Sequence, residues 1–211
     1  MRKDHKFSKS EAIKFGLTIT KRELKFFIGI FVIFILVNFA FNILAKDISQ
    51  SFPFYFSIIV TIALSLVGTI LQMGLIKISL NFLDNKKSQH IDLFTTHRPV
   101  FKFLTASILY GLIVFAGFIL LVIPGIIWAI KFQFYSYLIV DKEMGPIEAL
   151  KKSSQITKGV KLDLLVFSFL LTGINILGVL AFGIGLILTI PTTIIATAFV
   201  YRKLLSKTSG V

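Results

Sequence analysis

The chain has 211 residues, of which 55% are hydrophobic and 16% are charged, and its mean hydropathy is +0.87. A typical soluble domain is about 25% charged, so this composition excludes an ordinary globular protein and predicts several membrane-spanning helices. The net charge is +13. A basic chain can bind nucleic acid, but Lys and Arg are also enriched beside membrane helices. We expect that the basic residues flank membrane helices and that the protein has no nucleic-acid partner. The chain has no cysteine, which excludes disulfides, thiolate nucleophiles and cysteine metal sites.

The first basic segment, residues 1–25, contains eight Lys and Arg residues. Ser10 followed by Glu11 is typical of a helix start. The face that follows is small or apolar and contains Ala12, Gly16 and Ile19. We therefore predict a short interfacial helix. The next apolar run, about 19 residues over 26–44, is too long for the core of a signal peptide and lacks a small-residue cleavage site, so it is predicted to be a membrane anchor.

Six apolar segments predict six transmembrane helices. Their approximate bounds are 26–45, 54–83, 103–123, 126–140, 162–178 and 181–201. Pro124-Gly125 predicts a tight turn between the third and fourth helices, because Pro fixes φ and Gly accepts a positive φ. The fourth helix is short for a span of about 20 residues. The transmembrane domain is thus 26–203, between the basic segment and a cytoplasmic tail at 204–211.

A second interfacial helix is predicted from Pro146 to Lys158, with proline in its first turn and glycine just beyond its end. Its sequence repeats that of the first: Glu11-Ala12-Ile13-Lys14 matches Glu148-Ala149-Leu150-Lys151 at an offset of 137. Each match precedes an apolar hairpin. The pattern favours three units of interfacial helix plus hairpin, with the segment 88–98 in the middle position. Chance similarity in a biased composition is the alternative.

The distribution of basic residues predicts the orientation. If both termini face the cytoplasm, the inner segments hold 20 of the 23 Lys and Arg residues, as the positive-inside rule requires. The predicted fold class is therefore an all-α polytopic membrane protein. It has six transmembrane helices as three hairpins, short cytoplasmic interfacial helices, and N and C termini inside.

A few polar side chains fall within the apolar segments. Lys131 is the main candidate ligand residue, because a charge inside the bilayer is costly unless it is paired or hydrated. The alternative is that Lys131 faces a polar bundle interior together with the amides near it or on other helices. Those candidate polar-core residues are Gln133, Asn38, Asn42 and Asn175. Amides in lipid need partners on other helices, so interhelical hydrogen bonds and a ligand contact both remain open.

The basic residues of the two interfacial helices are candidates for contact with anionic lipid headgroups. They are Lys14, Lys21, Lys151, Lys152 and Lys158. The lipid bilayer and anionic headgroups are thus the expected partners. The sequence names no protein partner, and a homo-oligomer is compatible with it.

Catalytic chemistry is hard to find. The three histidines, His5, His90 and His97, lie in basic segments and do not form a convergent ligand set. The predicted membrane interior contains no Asp or Glu, which disfavours proton-coupled transport. No phosphate loop, nucleophile elbow or zinc-protease motif is present. We therefore expect no cofactor, no metal and no enzymatic activity.

One group of motifs resembles a known family. The motifs are Pro124-Gly125-Ile126, Lys131, Asp141-Lys142-Glu143, Glu148-Ala149 and Lys158-Gly159. Over about residues 120–205 the chain resembles a bacterial family of uncharacterised multi-pass membrane proteins, which includes the membrane domain attached to some glycerophosphodiester phosphodiesterases. The resemblance is weak before residue 100. It implies a six-helix protein of the bacterial inner membrane concerned with envelope lipids, and it supplies no catalytic residue.

The sequence is compatible with three functions. The first is a non-enzymatic membrane protein of envelope or lipid homeostasis. The second is a carrier or flippase for an anionic small molecule or lipid headgroup that uses Lys131. The third, an enzyme acting on lipid headgroups, ranks lowest because no acid–base pair is visible.

Overall fold

The computed structural model describes residues 7–51, 54–95, 98–181 and 183–208, and all regular structure in these ranges is α-helical. The helices are α1 Lys9–Arg22, α2 Leu24–Ser51, α3 Phe54–Leu83, α4 Asp92–Thr95, α5 Val100–Leu120, α6 Val122–Phe132, α7 Tyr135–Lys142, α8 Pro146–Ile156, α9 Lys161–Leu180 and α10 Leu186–Thr208.

Within the described residues, five segments are long and apolar enough to cross a membrane. They are Ile58–Leu83, Val100–Leu120, Val122–Lys142, Lys161–Leu180 and Leu186–Thr208. A sixth is reached if α1 and the described part of α2, which meet at an angle of 84°, count as one bent span. The prediction of a helical chain with several membrane-spanning helices is confirmed by these features.

The turn predicted at Pro124-Gly125 lies elsewhere. The chain turns at Leu121, whose φ of −171° and ψ of 157° are extended, and Pro124 sits in the first turn of α6, where its missing N–H costs no hydrogen bond. Gly125 instead permits close packing: a Cβ built there would lie 2.6 Å from the Phe118 ring. The glycine therefore serves contact between α5 and α6 rather than the turn.

The fourth apolar segment is also longer than 126–140. It runs from Val122 to Lys142 over 21 residues and consists of α6 and α7, which are separated by a break at Gln133 and Phe134. The last two long helices are likewise shifted from 162–178 and 181–201, because the connection between them includes Gly183 with φ of +75°. Only α3 has the bounds read from the sequence.

The centre of the molecule is formed by the C-terminal half of α3, by α7 and by α10. Helix α3 packs on α7 and on α10. Tyr137 of α7 donates a hydrogen bond to the Ile194 carbonyl at 3.3 Å, and its ring lies 5.4 Å from that of Tyr201 on α10. Helices α2, α5 and α9 are peripheral and expose large apolar side chains such as Leu36, Phe115 and Phe169. Such exposure fits a lipid-facing surface.

The two predicted interfacial helices are equivalent in how they pack. Helix α1 buries Ala12, Gly16, Ile19 and Thr20. Helix α8 and the residue after it bury Ala149, Ser153, Ile156 and Thr157. Each residue of the second set is 137 positions after its counterpart in the first. The face predicted from spacing is thus the buried face in both helices.

Candidate functional site

Lys131 lies in an open groove between α5 and α6. The groove has a volume of about 510 Å³, and its other lining residues are Leu112, Ile113, Ala116, Trp128 and Phe132. The Lys131 side chain is partly buried, and its ammonium lies 4.8 Å from the centre of the Phe132 ring. Among the described residues that line this groove, Lys131 is therefore the one with a charge, and the others are apolar.

The backbone of Lys131 is held by α8. Its carbonyl accepts hydrogen bonds from the Ser153 hydroxyl at 3.1 Å and the Thr157 hydroxyl at 3.0 Å. The Phe134 amide, on the other side of the break between α6 and α7, donates to the Ser153 oxygen at 3.1 Å. Backbone groups at a helix end need such partners. The two hydroxyls thus fix the helix break, and with it the position of Lys131.

The predicted polar-core residues are distributed over several helices. Gln133 donates a hydrogen bond to the Ile130 carbonyl and Asn38 donates one to the Phe34 carbonyl, each within its own helix or helix end. The Asn175 side-chain oxygen in α9 is buried and has no hydrogen-bond partner. The side chain of Asn42 lies outside the described residues. A shared cluster of Lys131 with these amides therefore stays a prediction.

The predicted lipid-contact residues point away from the buried faces of α1 and α8. Lys14, Lys21, Lys151 and Lys158 are exposed, whereas Lys152 is partly buried. A helix with a buried small-residue face and exposed lysines is suited to lie at a charged interface. Contact of these residues with lipid stays a prediction.

Arg202 of α10 joins the C-terminal ends of α3 and α7 in a cluster that the sequence did not predict. One guanidinium nitrogen lies 2.7 Å from Asp141 Oδ2 and another 2.8 Å from Asp84 Oδ2. The Tyr201 hydroxyl also donates to Asp141 Oδ2, at 3.0 Å. The Asp141 side chain is only 9% exposed. We call Asp84, Asp141, Tyr201 and Arg202 the Arg202 cluster; its sequence signal is an acid directly after each of the second and fourth apolar segments.

Metal-binding side chains do not converge in the described part of the chain, where no group of three or more His, Asp or Glu residues could hold an ion. His90 packs on the Phe26 ring at 4.5 Å, and its Nε2 lies 3.3 Å from the Phe26 carbonyl. His5 and His97 lie outside the described residues. The expectations of no metal, no cofactor and no catalysis therefore stay predictions.

A second, more enclosed cavity of about 150 Å³ lies between α2, α3 and α10. Its walls are almost wholly apolar and include Phe27, Phe34, Leu75, Pro191 and Ile194. Ser79 also lines it, but its hydroxyl donates to the Ile76 carbonyl of its own helix. The cavity offers apolar contact and no specific polar group.

The chain is similar to known proteins, but none of the matches reported below has a described activity. Residues 106–208 match a family described as protein of unknown function (DUF975). The chain is 30% identical over 145 residues to Uncharacterized protein Rv2560 of Mycobacterium tuberculosis, and equally to Uncharacterized protein Mb2590 of Mycobacterium bovis. The match covers 68% of this chain but 44% of each relative, so the chain spans less than half the length of these curated relatives. No solved structure matches it.

Proposed function

We propose that this protein is a non-enzymatic integral membrane protein that binds anionic lipid in the groove of Lys131 and serves envelope or lipid homeostasis. The supporting observation is the position of Lys131, a lone cation in an open apolar groove. An ammonium in apolar surroundings is costly unless an anion accompanies it. An anionic headgroup meets this need, while its acyl chain lies along Leu112, Ala116 and Trp128.

The basic interfacial helices give a second line of support. Four of the five candidate lysines on α1 and α8 are exposed, and each Lys near an anionic bilayer surface contributes about 1 kcal/mol of attraction. The proposed topology has six transmembrane helices as three hairpins in the bacterial inner membrane, with both termini in the cytoplasm. It rests on the 20 of 23 basic residues that this orientation places inside.

The relation to phosphodiesterase membrane domains belongs to the same proposal. It rests on the motifs around Pro124-Gly125, Asp141 and Lys158-Gly159. The matching proteins are themselves described as uncharacterised. The envelope-lipid role is therefore carried by the groove and the basic helices rather than by the relatives.

The single tryptophan of the chain, Trp128, lines the groove and makes a direct test feasible. We would reconstitute the protein in phosphatidylglycerol or phosphatidylcholine with brominated acyl chains and measure quenching of Trp128 fluorescence. We expect stronger quenching by the anionic lipid and loss of this preference in Lys131→Met. Lys77→Met is the matched control, because Lys77 is also a partly buried lysine in an apolar helix but does not line the groove. An unchanged preference in Lys131→Met would contradict the proposal.

A carrier or flippase for an anionic lipid headgroup or small molecule is the second candidate, since the groove of Lys131 is open. Transport of fluorescent phosphatidylglycerol between leaflets of reconstituted vesicles distinguishes the two. Flux that requires Lys131 favours the carrier, whereas bound lipid without flux favours the binding protein. An enzyme acting on lipid headgroups ranks last, because the groove lining holds no acid–base pair.

A further inference from the structure

Each of the three central helices is contacted by one short helix at a specific position. Helix α1 packs on α10, where Gly16 lies so close to the Thr192 carbonyl that a Cβ would collide with it. Helix α4 packs on α3, where a Cβ at Gly74 would collide with the Leu93 backbone. Helix α8 packs on the break between α6 and α7, through Ser153 and the Lys131 carbonyl.

These contacts share one register. The contacted residues on the central helices are Gly74, Lys131 and Thr192, and the charged residues of the Arg202 cluster are Asp84, Asp141 and Arg202. Each charged residue lies ten positions after the contacted residue of its own segment, which corresponds to about 15 Å along an unbroken helix such as α10. The three charged residues therefore occupy equivalent places in three units, and they meet.

The short helices pack on the central helices in a regular order. In chain order, α4 packs on the central helix of the preceding unit, and so does α8. Helix α1 packs on α10, the central helix of the third unit. The N-terminal end of α1 is held by two ion pairs, Lys9 with Asp163 of α9 at 2.6 Å and Glu11 with Lys203 of α10 at 2.8 Å.

We propose that the Arg202 cluster acts as a clasp, a set of ion pairs that holds α3, α7 and α10 together. Two carboxylates, Asp84 and Asp141, face one guanidinium, and Lys142 at 3.6 Å from Asp141 is the other cation at the cluster. Without Arg202 the two carboxylates repel each other, and the largely buried Asp141 loses its closest charge partner. The ends of α3 and α7 then separate, and the core between them opens.

The absence of native cysteine allows a clean accessibility experiment on the full chain. Ala198 lies on α10 one turn before Arg202 and is completely buried, so Ala198→Cys reports on the core beneath the clasp. We would measure its rate of modification by a water-soluble maleimide in reconstituted vesicles. We expect Arg202→Met to raise this rate at least tenfold and Arg202→Lys, which keeps the charge, to raise it less.

A triple variant separates the clasp from a general loss of folding. Arg202→Met combined with Asp84→Asn and Asp141→Asn removes the repulsion, and we expect its modification rate to return towards that of the parent. Arg22→Met is the control, since Arg22 pairs with its neighbour Glu23 on the surface. A rate in Arg202→Met equal to the parent, or a triple variant as accessible as the single variant, would overturn the proposal.

Discussion

Ser153 donates a hydrogen bond to the Lys131 carbonyl, at the point where the fourth membrane segment breaks into two helices. The same hydroxyl oxygen accepts from the Phe134 amide. One side chain of an amphipathic helix therefore satisfies backbone groups on both sides of the break. The candidate ligand residue is positioned through its main chain rather than through its ammonium.

Ser153→Ala should destabilise the protein by about 1–3 kcal/mol, because the buried Phe134 amide loses its hydrogen-bond acceptor. The neighbouring Ser154→Ala is the matched control, since the Ser154 hydroxyl makes no contact with the break. Thermal unfolding in detergent would measure both. Equal unfolding temperatures for the two variants would show that the hydroxyl contributes no stability.

Two Gly→Ala substitutions should have opposite signs. Alanine at position 16 places a Cβ against the Thr192 backbone, so α1 has to move off α10, and we expect a loss of about 1–3 kcal/mol, as for overpacking. Alanine at position 111 meets open space in the middle of α5. There we expect a gain of about 0.5–1 kcal/mol, the helix preference of Ala over Gly. Denaturation curves of the two variants give the comparison, and a shared sign would contradict it.

Replacing the four exposed lysines Lys14, Lys21, Lys151 and Lys158 with Gln should reduce the number of anionic lipids retained by the purified protein. The attraction is electrostatic and acts at an exposed surface, so the difference from the parent should shrink at high salt. Native mass spectrometry of phosphatidylglycerol complexes measures the retained number. The headgroup preference of Trp128 quenching should persist, because Lys131 is unchanged. Equal retention at low salt would remove these lysines from lipid contact.

Local sequence patterns are enough to predict that the chain is a membrane protein and which faces of the amphipathic helices are buried. Apolar runs predict spans because the bilayer fixes their length, and a spacing of three or four residues placed Ala149 and Ser153 on the buried face of α8. The turn could not be located in the same way. Leu121, an ordinary apolar residue, makes the extended turn, whereas the better turn signal at Pro124-Gly125 lies inside a helix.

The Arg202 cluster could not be predicted from the sequence for a different reason. Its ion pairs join residues 61 and 118 positions apart, and they form only because α10 meets the ends of α3 and α7. Each charge alone is explained by its place beside a membrane helix. The helix break at Gln133 and Phe134 likewise could not be predicted, because neither residue is a glycine or a proline. The break depends on hydrogen bonds from the Ser153 and Thr157 hydroxyls.

The hydrogen bond from Thr192 to Thr20 joins residues 172 positions apart. During synthesis, α1 emerges well before the surface that it covers on α10 is made. Until then its small-residue face has no docking partner, although the chain already turns by 84° from α1 into α2. Docking of α1 therefore has to wait until α10 is made, and a chain interrupted before α10 would leave that face available to proteases of the membrane.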